Sequence, residues 1–350
     1  MITEIATPST QVQVPTVKDQ AGKILAHVAG YVGSRTIEIG LASGLVATLA
    51  ERNEGLTAAG LAAAAEMDPL YVEVWCRSAL ANDVLERTDD GGYRLAPHMR
   101  TILLDRESAA YVGGTLSVLA QPEIFDRFGE SLASGARTWW DQVGPGFIEG
   151  VSSTGSAFYT RLVPGGLDRV AGLADTMADG ARILDTACGA GVGLVRLAAA
   201  YPTATLVGAD GDAYSLQLAA ERLRQHGIED RVELVHTALE ELDRQDEFDL
   251  VVNNISMHEC RDQDAVTRNI ARALKPGGRF VISDFPFPTT DQALRSVPGR
   301  IMSGIQFFEA QIDDQLEPVA TYLDLLDRHG FRDVDSFEVT PVHAITHGRK

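Results

Sequence analysis

The stretch ILDTACGAGVG, Ile183 to Gly193, decides the fold. A short apolar run ends in an acid, Asp185, and then opens into glycines at every second position, Gly189, Gly191 and Gly193. Glycine lets a backbone turn sharply and pass close to a ligand. The segment VGLVRLAAAYP that follows reads as a helix, and the free N–H groups at its start suit a carboxylate or a phosphate. A dinucleotide-binding turn carries G-x-G-x-x-G. Here the third glycine comes one residue early, and Leu194 stands where that pattern wants it.

Outward from this turn, ATLVGAD, VELVHTA, FDLVVNN and GRFVISDF are short, mostly apolar, β-branched runs. Helical segments such as DAYSLQLAAERLRQHG and QDAVTRNIARALKPGG separate them. Strands alternating with helices predict a parallel sheet covered on both faces. The final stretch, GFRDVDSFEVTPVHAITHGRK, supplies two more strands as an antiparallel hairpin at the edge. ATLVGAD puts Asp210 at the end of its strand, 25 residues after Asp185. A carboxylate there can accept both hydroxyls of a ribose, because ligands of such sheets bind at the carboxyl ends of the strands.

The front half has a different pattern. LTAAGLAAAAEM (56–67) reads as a short helix capped by Thr57. DPLYVEVWCRSALAND (68–83) reads as a second, with Asp68 as N-cap and Pro69 at the first helical position. VLERTDDGGYRLA alternates around an Asp-Asp-Gly-Gly turn and predicts a hairpin. Helix, turn, helix, hairpin is the order of a winged helix. The second helix offers acids and apolar groups rather than the Arg, Lys, Asn and Gln that read base edges. The apolar stretch IGLASGLVATLAERN (39–53) reads as one long helix suited to a partner helix. Dimerisation is therefore preferred to DNA binding. The expected organisation is a loose arm at 1–16, a winged-helix-like dimerisation domain at 17–112, a helical connector or substrate lid at 113–165 and the sheet domain at 166–350. The connector aromatics Trp139, Trp140, Phe147, Phe158 and Tyr159 read mostly as core, one or two of them as pocket wall.

The chain has 350 residues, enough for two cores. Its formal charge of −19 repels phosphate backbones and argues against a nucleic-acid partner. Cys76, Cys188 and Cys260 are far apart and lack metal-ligand spacing, which predicts a reducing compartment without disulfides. The N-terminal segment lacks the basic start and apolar run of a signal peptide, and no stretch approaches the ~18 apolar residues of a membrane span. A cytoplasmic location is expected.

With DTACGAG, VGAD, FDLVVNN and ALKPGG in this order and spacing, residues 165–350 resemble the class I S-adenosylmethionine-dependent methyltransferases. With the winged-helix-like front, the whole chain resembles the small-molecule methyltransferases that dimerise through that domain. The resemblance implies an α/β, Rossmann-like sheet of seven strands with the last antiparallel, S-adenosylmethionine as cofactor, and a homodimer. It also implies roles. Gly189 and Gly191 pass beneath the methionine part, Asp185 reaches its ammonium, Asp210 holds the ribose, and the backbone near Asn253 closes over the amino-acid end. Two positions depart from the family: Ala187 stands where glycine is usual, and Ala238 where many members place an acid near the adenine amino group. Adenine recognition then falls to backbone groups and apolar contact at Leu239.

The reaction implied is displacement at a sulfonium methyl, which needs alignment and, for a hydroxyl nucleophile, a base. His258 follows FDLVVNNI at the ligand side of the sheet, and imidazole titrates near neutrality. His258-Glu259 resembles the histidine–acid pair of the dimeric O-methyltransferases, with Cys260 where tryptophan is common. Glu309 is the first choice of acid to orient His258 and Asp284 the second. Of the other histidines, His226 and His329 sit in helix-capping contexts. No metal ligand is assigned. Two alternatives stay open: metal-assisted C-methylation of a 2-oxo acid through His258 and Glu309, and a cofactor-sensing winged-helix regulator without catalysis. Phe285, Phe287, Phe307 and Phe308 read either as core or as the wall of a pocket for an apolar or aromatic acceptor.

Overall fold

The computed structural model describes residues 14–119, 122–137, 155–177 and 180–350. Trp139, Trp140 and Phe147 lie outside the described residues. The chain divides into two compact units, 1–100 and 101–350.

In the first unit, α1 (Val17–Ala42) starts at a capping box in which Thr16 and Asp19 satisfy each other's backbone donors. The expected long helix over 39–53 is two helices. Gly44 takes a left-handed φ of 79°, and the chain restarts as α2 (Leu45–Ala50). Leu45, Val46 and Leu49 are buried in the unit's own core, so this stretch is not the partner-facing surface. α3 (Ala58–Ala64) is capped by Thr57, whose hydroxyl accepts from the Gly60 N–H. α4 (Pro69–Ala81) is capped by Asp68, which accepts from the N–H groups of Leu70 and Tyr71. Such caps contribute about 1 kcal/mol each. Trp75 on α4 donates its indole N–H to the carbonyl of Thr36 on α1 at 2.9 Å. The hairpin β1 (Leu85–Arg87) and β2 (Tyr93–Leu95) closes through the 88–92 turn, with Gly91 at φ 82°. The expected element order is the observed one. Five apolar residues of α1, Ile24, Leu25, Val28, Tyr31 and Val32, recur at helical spacing and are exposed.

The second unit holds one seven-stranded sheet of order β5-β4-β3-β6-β7-β9-β8. Its strands are β3 (Arg182–Thr186), β4 (Thr205–Asp210), β5 (Val232–His236), β6 (Phe248–Asn254), β7 (Leu274–Asp284), β8 (Arg332–Thr340) and β9 (His343–Arg349). The first five are parallel, and β9 runs antiparallel between β7 and β8. Apolar clusters cover both faces: Ile183, Leu194, Leu197, Leu250 and Val281 on one, and Leu184, Val251, Phe280, Tyr322 and Leu325 on the other. That is why the strands read as continuous apolar runs. The chain order first turns outward at β3, where β4 goes to one side and β6 to the other. This leaves a crevice at the carboxyl ends, and the acids lie at it.

Candidate functional site

Parallel register lines up the strand ends. Asp185 pairs with Gly208 and Val252, and Thr186 with Ala209 and Asn253. The turn after β3 is built from the backbone outward. Ala187 and Gly189 both have φ of 53°, and Gly191 has 78° and caps the helix Val192–Ala200. Alanine at 187 therefore occupies a conformation that glycine takes more readily, and the departure from the family costs strain rather than space. A Cβ on Gly189 would meet nothing within 4 Å, so the loop there faces open space. A Cβ on Gly191 would press on Ala219 at 3.0 Å.

Asp210 anchors this loop. Its Oδ2 accepts from the Gly189 N–H at 2.7 Å and its Oδ1 from the Asp212 N–H at 2.8 Å. Burial raises its pKa above the ordinary carboxylate value, against those two hydrogen bonds. Asp185 is fully buried. Tyr159, on the helical segment 155–161, donates its hydroxyl to Oδ1 at 2.7 Å, and Oδ2 has no partner. Burial pushes this carboxyl up to about 7, the Tyr159 bond opposes the rise, and Asp210 adds to it. Asn253 is buried with its amide N–H on Thr186 Oγ1 at 3.1 Å and its Oδ1 unpartnered. Leu239, which opens a short 3-10 turn after Ala238, is packed into the sheet's second apolar cluster and is 7% exposed. Little of it is left for contact with a ligand.

A second group of acids gathers beyond β6 and β7. His258 is buried, with Nδ1 at 2.9 Å from Asp284 Oδ2. The same oxygen accepts from the Tyr322 hydroxyl at 2.8 Å, and Asp284 Oδ1 accepts from the Phe285 N–H at 2.7 Å. The order expected for the two acids is thus reversed. Asp284, at the very end of its strand, is locked in place and holds the histidine. Glu309, the last residue of the helix Val297–Glu309, faces the other nitrogen, with Oε1 at 3.6 Å from Nε2. That is too long for a hydrogen bond, and both His258 Nε2 and Glu309 Oε2 are buried without one. Burial alone would lower the imidazole's pKa. The charges of Asp284 and Glu309 outweigh it and raise the value well above the ordinary one. Glu259 is raised well above its usual range by burial and by Glu309. Asp314 is raised to about 7 for the same two reasons. His258, Glu259 and Glu309 each bring a ligand atom within 4.8 Å of the others, a set that could hold a divalent cation.

Of the other histidines, His236 lies beside Asp210 in the sheet register, with Nε2 at 3.0 Å from the Gly211 carbonyl, while His226, His329 and His343 are engaged elsewhere. His226 ends a helix before Gly227, and His329 Nε2 meets Asp264 at 2.7 Å. His343 is buried against Ser283, and burial lowers it to about 3. Of the aromatics, Phe285 packs edge-on against Phe158 at 4.7 Å, with Met302 and Leu316 in the same cluster. Phe307 packs instead against Phe125 and Phe128. Tyr159 and Tyr322 are the two site residues whose roles the sequence did not show. Each sits at ordinary helical spacing among apolar neighbours and reads as core, and only the hydroxyl contact sets it apart.

Residues 178–321 match the family model of a methyltransferase domain. Methyltransferase GfsG of Streptomyces halstedii is 33% identical over 47% of this chain, and the match spans 56% of that relative's own length. A candidate O-methyltransferase of Nostoc punctiforme superposes with a TM-score of 0.73 at 18% identity, covering 97% of this chain and 100% of its own. Human N-acetylserotonin methyltransferase, solved in complex with S-adenosylmethionine, superposes with a TM-score of 0.67 at 16% identity, over 96% and 99% of the two chains. No helix among the described residues is long and apolar enough to cross a membrane.

Proposed function

We propose that the chain is a class I, S-adenosylmethionine-dependent methyltransferase that methylates an oxygen of a small molecule with His258 as general base, a reading supported by the methyltransferase-domain match over residues 178–321. The observation that carries the reading is the pose of His258. Asp284 takes its Nδ1 side and leaves Nε2 without a hydrogen bond, at the same sheet edge as Asp185 and Asp210. The cofactor fits the residues present. Asp185 offers a buried, unpartnered oxygen to an ammonium, Asp210 offers a carboxylate to a ribose, and Gly189 leaves space beside them. When bound, S-adenosylmethionine supplies a methyl group already activated by its positive sulfur.

The side chains do the rest. Gly189 and Gly191 would let the backbone pass beneath the methionine part, the backbone near Asn253 would close over its amino-acid end, and backbone groups at Ala238 and Leu239 would be left to meet the adenine. His258 Nε2 takes the acceptor's proton, while Asp284 keeps Nδ1–H in place so that the ring presents the correct lone pair. The charges of Asp284 and Glu309 stabilise the imidazolium that forms, with Glu259 beside them. Phe158 and Phe285 give the acceptor side an apolar wall.

The cluster of His258, Glu259 and Glu309 favours a second reading, a divalent cation that polarises a 2-oxo acid for methylation at carbon. One experiment separates the two. Protein purified without chelator is analysed for metal, dialysed against EDTA, and given methyl-labelled cofactor with hydroxylated and 2-oxo acid acceptors. Label on oxygen, undiminished by dialysis, is the expected result. Stoichiometric metal, with activity lost on dialysis and label on carbon, moves the assignment to the second reading.

The exposed face of α1 supports a homodimer, since apolar patches of this kind are seldom left to water. The double variant Leu25→Glu, Val28→Glu is expected to sediment at half the mass of the parent. An unchanged mass would place the contact elsewhere.

A further inference from the structure

We propose that Tyr159 is a positioning residue of the cofactor site: it holds one oxygen of Asp185 so that the other is free for the ammonium at the cofactor's amino-acid end. The inference rests on the S-adenosylmethionine reading of the site and assigns it a residue outside the glycine turn.

Three observations carry it. The Tyr159 hydroxyl lies 2.7 Å from Asp185 Oδ1, and both side chains are buried. Asp185 Oδ2, equally buried, has no hydrogen-bond partner. The third is Gly193. It lies inside the helix Val192–Ala200 and outside the left-handed φ region, so its conformation does not demand glycine. Its space does. A Cβ there would collide with the Tyr159 ring and stand 2.5 Å from Asp185 Oδ2. The third glycine of the turn therefore makes room for the tyrosine–aspartate pair, which explains why it comes one residue earlier than in a dinucleotide site.

The titratable groups facing Asp185 are Tyr159 on its helix, Cys188 in the turn and Asp210 at the end of β4. Tyr159 and Cys188 are both raised well above their usual values, first by burial and then by Asp185, so both keep their protons near neutrality. Asp185, pushed up to about 7 by burial, is the group that changes charge. An ammonium binds its ionised form, so affinity falls as pH drops below 7 and a proton must leave on binding. The Tyr159 bond stabilises the carboxylate, and its loss moves this midpoint to higher pH.

The test is calorimetry with S-adenosylhomocysteine and with 5′-methylthioadenosine, which keeps the nucleoside but lacks the amino-acid end. Tyr159→Phe retains the ring and hence the packing. At pH 7 it is expected to weaken S-adenosylhomocysteine about tenfold, the scale of one charge-assisted hydrogen bond. Methylthioadenosine should be unaffected, and the pH midpoint for S-adenosylhomocysteine should rise. Equal weakening of both ligands, or an unmoved midpoint, would overturn the proposal in favour of a packing role. Failure of the parent protein to bind either ligand would overturn the cofactor reading itself, and this inference with it.

Discussion

Replacing His258 with alanine lowers turnover by a factor of about 10²–10⁴ and leaves cofactor affinity within twofold or so of the parent, the pattern of a lost general base. The ring touches Asp284 and faces Glu309. Its pH behaviour follows from its neighbours. Burial favours the neutral ring, but the two carboxylates prevail and favour the charged one. The base form thus appears only as pH rises above the usual histidine range, and turnover should climb through a limb displaced upward from about 6.5. Removing one negative charge with Glu309→Gln should bring that limb back toward lower pH. Initial rates across pH for the parent and both variants check this. Full activity in His258→Ala would leave alignment alone as the source of catalysis. A limb that Glu309→Gln fails to move would remove that carboxylate from the chemistry.

Asp210→Ala should raise the dissociation constant for S-adenosylhomocysteine more than about tenfold. Two hydroxyls lose a charged acceptor, and each such bond contributes about 1.5–3 kcal/mol when well made. The variant also frees the Gly189 N–H, because the same carboxylate steadies the turn. Loss of the ribose contact and loosening of the loop would therefore act in one direction. The nucleoside fragment 5′-methylthioadenosine should suffer as much as the full ligand, since both carry the ribose. Calorimetry reads the effect directly. An unchanged constant, or binding of a nicotinamide dinucleotide in place of the sulfur ligand, would sink the assignment of Asp210 to the ribose.

Much of the fold was legible because its signals are local. The strand end at Asp210, that of the first sheet strand one residue past Asp185, the caps at Thr57 and Asp68, and the turn at 88–92 are each written within a few residues. The long helix over 39–53 failed for a local reason as well. The apolar pattern continues through Ser43-Gly44, and only the left-handed glycine shows the break. The acid that holds His258 was harder. Asp284 and Glu309 are both carboxylic side chains, and nothing in the sequence says that a tyrosine thirty-eight positions after the first shares one of its oxygens. The Tyr159–Asp185 contact lies 26 residues apart and joins a segment before the sheet to its first strand. Contacts of this kind depend on tertiary placement, which periodicity does not encode.

The place of β9 bears on how the protein is made. Among the described residues it is the last strand in chain order, yet it lies inside the sheet, bonded to β7 on one side and β8 on the other. While a ribosome is still delivering the chain, β7 has a bare flank and β8 has nowhere to attach. An unpaired flank of that length, with Phe280, Val281 and Ile282 along it, invites pairing with a neighbouring nascent chain. Deleting His343–Arg349 would fix that exposure permanently, so the loss of this one strand should be felt first as insolubility, before any question of activity arises.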